Sequence, residues 1–150
     1  MRRASVLAVL IALAIPGAAI AARDVTDTPV VQRDLVIAVA YWHRMLPGVT
    51  NGPVTVVVAR MQPAEGPNGV MYAPEDIEAE TVAGASVITL APRTWANMTK
   101  RKHETVNGRT LREVSVRVVI HEYGHVLGLD DVPEGNGTDA EEVSWAWAGR

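Results

Sequence analysis

Residues 121–131 read His121-Glu122-Tyr123-Gly124-His125-Val126-Leu127-Gly128-Leu129-Asp130-Asp131. The first five are H-E-x-x-H. Positions four apart share one face of a helix, about 6 Å apart along its axis. His121 and His125 can therefore direct imidazole nitrogens at one zinc ion. Glu122 lies beside the first of them, where its carboxylate can reach a water at the metal without being a ligand itself. Gly128 is suited to end the helix, because glycine accepts the left-handed backbone that turns the chain back. That reversal would return Asp131 towards the same ion.

This stretch resembles the metzincin signature H-E-x-x-H-x-x-G-x-x-H, with inner letters similar to those of matrixin-type peptidases. Asp131 stands where most of that family has a third histidine, as in the snapalysin branch of small secreted bacterial metallopeptidases. The resemblance implies a zinc metalloendopeptidase that cleaves polypeptide by zinc-activated water. Its metal ligands would be His121, His125 and Asp131, holding one catalytic ion, with Glu122 as general base. An anionic aspartate in place of a neutral histidine adds negative charge at the metal and should make it a weaker Lewis acid. The expected fold is α+β, a small metzincin-like domain with a mixed sheet packed on an N-terminal helix and the active-site helix.

The resemblance also implies a sheet edge that pairs with extended substrate. By chain order the candidate is Ser86-Val87-Ile88-Thr89-Leu90-Ala91, with an interior strand as the alternative reading. One departure stands out. The family carries a methionine downstream of its third ligand, whereas the methionines here are at 1, 45, 61, 71 and 98, all upstream. That departure favours a second reading, a catalytically weak or inactive zinc-stabilised binding module. A third keeps the enzyme but takes Glu141 or Glu142 as third ligand, from a later helix.

Outward from the motif, Thr110-Leu111-Arg112-Glu113 is a capping box, and it opens a helix that runs through Ile120 into His121. Val114 and Val118 fall on the face of His121 and His125, which puts the ligands at the end of an apolar stripe. So many valines disfavour an isolated helix, so burial must hold this one. Near the N-terminus, Thr28-Pro29 reads as a cap with proline at the first helical position. Leu35, Val39, Trp42 and Leu46 follow at helical spacing, and Pro47-Gly48 ends the element. The β-branched run Val54–Ala59 reads as a buried strand, as does Ser86–Ala91, closed by Pro92. Residues 61–79 read as turns with a short strand near Val70–Tyr72. Residues 93–108 read as a polar excursion. His43 reads as a surface or half-buried histidine and His103 as a solvent-exposed one.

Composition bounds the rest. The 150 residues fit one domain, and 48% apolar residues suffice for a core. Met1-Arg2-Arg3, the apolar run Ser5–Ile15 and Ala19-Ile20-Ala21 form the pattern of a secretory signal peptide, residues 1–22. The peptidase domain would then occupy 23–150. The apolar run is shorter than the ~20 residues a membrane span needs. Processing removes two of 14 basic residues and none of the 17 acidic ones, so the net charge moves from −3 to −5. Neither this charge nor any basic cluster suits nucleic acid. A secreted monomer without stable membrane insertion is expected, and with no cysteine it holds no disulfide.

Overall fold

A computed structural model describes residues 22–49, 52–65 and 69–129. The fold is α+β. Its elements in order are β1 (Arg23–Asp24), α1 (Pro29–Met45), β2 (Thr55–Val58), β3 (Ala64–Glu65), β4 (Met71–Tyr72) and β5 (Ala79–Glu80). These are followed by β6 (Val87–Leu90), α2 (Pro92–Thr99), β7 (Thr105–Val106), β8 (Arg109–Thr110) and α3 (Leu111–Val126). No helix among the described residues is long and apolar enough to cross a membrane. Residues 1–21, which hold nearly all of the expected signal peptide, lie outside them.

The two runs of β-branched residues form the centre of the sheet. β2 and β6 pair in parallel, Val56 opposite Ile88 and Val58 opposite Leu90. Side chains two apart share a sheet face, so these four point one way, into the core that α1, α2 and α3 close. The sheet order is β1-β2-β6-β5, with antiparallel strands at both ends. The edge reading of Ser86-Val87-Ile88-Thr89-Leu90 is therefore corrected. β6 is interior, with β2 on one side and β5 pairing Thr89 and Leu90 on the other. Ile88 and Leu90 are fully buried, as an interior strand requires. The edge on that side is β5, whose two residues carried too little apolar pattern to be read.

α1 begins as expected at Thr28-Pro29, although the Thr28 hydroxyl donates to the Val25 carbonyl (2.7 Å) instead of capping the helix. Its fully buried stripe differs from the expected one. Val31, Asp34, Ala38 and Trp42 face the core, while Leu35, Val39 and Leu46 pack at its margin. The difference comes from a charged residue on the buried face. Asp34 is completely buried, and both its oxygens accept from the Arg112 guanidinium of α3, Nη1 to Oδ2 at 2.6 Å and Nη2 to Oδ1. A buried carboxylate is tolerated when it is paired in this way.

α3 opens on the expected capping box. The Thr110 hydroxyl accepts from the Glu113 N–H (3.2 Å), and the Glu113 carboxylate accepts from the Thr110 N–H (2.7 Å). The bonds that its carboxylate accepts from the Thr110 N–H and hydroxyl hold the Glu113 carboxyl below its ordinary range. Its stabilising effect is therefore present at neutral pH and lost as pH falls through that lowered value. The core-facing stripe is Leu111, Ser115, Val119, Ile120 and Tyr123. Val114 and Val118 are only half-buried and face an open cleft, so the stripe leading to His121 lies on the cleft side of the helix and not on the core side.

α1 and α3 meet at Trp42 and Gly124. The Trp42 indole N–H donates to the Ile120 carbonyl at 2.7 Å, which pins the ring. A Cβ built on Gly124 would lie 2.7 Å from Cζ2 of that ring. Gly124→Ala is expected to destabilise the fold by up to about 2 kcal/mol. Overpacking costs about 1–3 kcal/mol, and the helix propensity gained by alanine offsets only about 1 kcal/mol of it. A shift of the urea midpoint to lower concentration at unchanged slope is the readout, and an unchanged or raised midpoint would show that the ring can yield.

The segment read as a polar excursion is structured. Pro92 starts α2 as well as ending β6, and Thr94 and Met98 are buried beneath it. The Thr94 hydroxyl and the Ala91 N–H both donate to the Glu78 carbonyl, which fixes the approach to β5. β7 and β8 form a hairpin turned by Asn107 and Gly108, both at positive φ. The Leu111 N–H, bonded to the Glu104 carbonyl at 2.7 Å, ties it to α3.

Candidate metal centre

The C-terminal end of α3 carries His121, Glu122 and His125, with both histidines half-buried and Glu122 buried. The helix stops where Gly128 adopts φ +86°. The Leu129 N–H returns to the Gly124 carbonyl (3.1 Å) and the Gly128 N–H to that of His125 (2.8 Å). This six-to-one and five-to-two pair is a Schellman cap. It bends the chain so that the Leu129 carbonyl comes to rest 2.6 Å from Nδ1 of His125. A carbonyl only accepts, so Nδ1 of His125 carries the proton and, in the neutral ring, Nε2 offers its lone pair. Metal-binding histidines are commonly oriented in this way by a carbonyl on the other ring nitrogen.

Nε2 of His125 stands 3.0 Å from Nε2 of His121, with the two rings nearly perpendicular at 83°. Two nitrogens on a tetrahedral zinc, each about 2.0–2.1 Å from it, lie about 3.3–3.4 Å apart. The pair is within a few tenths of an ångström of that spacing, so these residues fit the metal. Among the described residues no third histidine, cysteine, aspartate or glutamate joins them. Asp131, Glu141 and Glu142 lie outside the described residues.

His121 and Glu122 line a cleft of about 830 Å³ that runs along the exposed side of α3. Its floor is Leu111, Val114 and Val118. One wall is Asp76, Glu78 and Ala79 leading into β5, and the other is built by α2 and the β7–β8 hairpin. The antiparallel edge β5 thus borders the cleft that contains both the histidine and the carboxylate. The loop after β5 is fastened to the same helix end, since the Gly84 N–H donates to the His125 carbonyl at 2.7 Å. His43 and His103 are exposed, as read from the sequence.

Three parts of this centre were not foreseen from the sequence. The Leu129 carbonyl acts through its main chain and leaves no mark on residue identity. The Gly84 contact joins segments 41 residues apart in the chain. The α2 wall was legible in principle, because Pro92 followed by Trp95 and Met98 is a short helix signature. None of the protein-family models, curated proteins or solved structures compared with the chain matches it.

Proposed function

We propose that the chain is a secreted zinc metalloendopeptidase. The observation that carries the reading is the convergence of His121 Nε2 and His125 Nε2, with the His125 tautomer set by Leu129 and Glu122 buried on the same cleft. His121, His125 and Asp131 hold one zinc ion. When bound, the ion supplies Lewis acidity, which makes a water more acidic and polarises a carbonyl. Glu122 takes the proton from the attacking water and delivers it to the leaving amine. The backbone of an extended polypeptide pairs with the outer side of β5, which presents main-chain donors and acceptors to the cleft. The apolar floor accepts a side chain.

The purified mature protein is expected to contain one zinc per chain by elemental analysis and to hydrolyse casein until a chelator is added. His121→Ala and His125→Ala should each lose the metal. Asp131→Ala should lose most of it, while Glu141→Ala and Glu142→Ala retain it. Full retention in Asp131→Ala with loss in a glutamate variant would move the third ligand to the later segment.

The position of every methionine upstream of the motif favours the second reading, a zinc-stabilised binding module. Stoichiometric zinc with no hydrolysis of any peptide in a broad library would establish that reading instead.

A further inference from the structure

The charge of the chain is unevenly distributed, and the uneven part builds the cleft. Residues 93–117 hold seven of the 14 basic side chains and two of the 17 acidic ones in a chain of net charge −3. Arg112 is paired with buried Asp34, and the other six basic side chains are exposed or half-buried. They form α2, the β7–β8 hairpin and the first half of α3, which are the far wall and floor of the cleft. Arg93, Arg101, Arg109 and Arg117 line it. Carboxylates already face all four: Glu104 bonds Arg101 at 2.7 Å, Glu78 lies 4.0 Å from Arg93, and Glu113 feels the charge of Arg109 and Arg117. Exposed pairs of this kind contribute little and exchange partners readily. Arg109 is exposed on the hairpin strand β8, with Lys100 and Lys102 exposed on the approach to the hairpin.

We propose that the cleft selects polypeptide carrying acidic residues a short distance to one side of the bond at the metal centre. The helix sets the distance. Arg117 lies one helical turn before His121, about 6 Å along the axis, and Leu111 at the hairpin end lies about 15 Å away. An extended peptide advances about 3.3 Å per residue. The carboxylates therefore fall about two to five residues from the bond. Between them the apolar floor of Leu111, Val114 and Val118 takes uncharged side chains.

The chemistry favours peptide over nucleic acid. Asp76 and Glu78 face the arginines from the other wall and Glu104 stands beside Arg101, so a uniform phosphate backbone would meet carboxylates at close range. Among the described residues no phenylalanine, tyrosine or tryptophan lines the cleft to stack a base. A peptide can place neutral residues against the carboxylates and acidic ones against the guanidinium groups.

The word "bond" here rests on the peptidase reading, but selection is measured without turnover. The test uses the full mature chain, zinc-loaded, as its Glu122→Gln variant, with fluorescein-labelled peptides that differ only at the second to fourth positions from the centre: Glu, Gln or Lys. Anisotropy should show the Glu peptide binding about tenfold tighter than the Gln peptide at low salt, with the Lys peptide weakest. The gap should close as added salt shortens the screening length. Arg109→Glu should remove most of the preference, and Arg33→Glu, on the exposed surface of α1, should leave it intact. Equal affinities, no binding by any of the three, indifference to Arg109→Glu, or displacement of the peptide by a single-stranded oligonucleotide at lower concentration would each overturn the proposal. Charge-dependent binding without hydrolysis by the wild type would remove the peptidase reading and leave this one standing. Hydrolysis indifferent to charge would do the reverse.

Discussion

Glu122→Gln is expected to retain the zinc and the fold while losing at least ~10²–10⁴-fold in kcat, the range that a general acid–base group typically contributes. Glutamine keeps the volume of the buried side chain and a hydrogen-bonding end, but it takes no proton at neutral pH. On the proposed ligand set the metal is held by groups on other residues, so its content should stay at that of the wild type. Elemental analysis, a urea transition and peptide hydrolysis on one preparation separate the effects. A variant that keeps zinc, stability and turnover alike would dismiss Glu122 as the base. One that loses zinc together with activity would make it a ligand. A kcat that falls while KM stays level is the signature of an interaction realised in the transition state.

Arg112→Ala carries the largest expected cost to stability. It leaves Asp34, fully buried on α1, without its cation. Breaking a buried pair from one side typically costs about 3–5 kcal/mol. Against a whole-domain stability of about 5–15 kcal/mol, that is about a fifth or more. The double variant Asp34→Leu with Arg112→Leu should recover most of the loss, because the penalty comes from the orphaned charge rather than from a missing attraction. Urea midpoints for the single and double variants decide the matter. A single variant as stable as the wild type would mean that water reaches Asp34, and a double variant no better than the single would assign the cost to packing.

The parts legible in the sequence were those written in side-chain chemistry over short spans. Thr110 and Glu113 announced the start of α3, Gly128 its end, and the β-branched runs the two central strands. His121 and His125 were four apart, and the fold brings their Nε2 atoms to 3.0 Å. What escaped was non-local or carried by the main chain. Periodicity placed the apolar face of α1 on Leu35, Val39, Trp42 and Leu46, of which only Trp42 is fully buried; Asp34 lies on the buried stripe, and Arg112, 78 positions later, makes its burial tolerable. Val114 and Val118 matched the period of a core stripe, yet the core had the adjacent stripe and a cleft took theirs. The edge strand was misread for a related reason. β6 has the apolar run of a strand, but being rich in buried side chains marks an interior position, and β5 at the true edge has only two residues.

The tautomer of His125 is decided by a contact spanning four residues, whereas the indole bond that braces α1 against the same helix spans 78. Loop-closure entropy separates contacts of such different reach. The donor character of the histidine is thus written into its own turn, and the wall behind it is supplied from the other end of the chain. Divergence of the N-terminal half would change how firmly the histidine is backed without changing which nitrogen it offers.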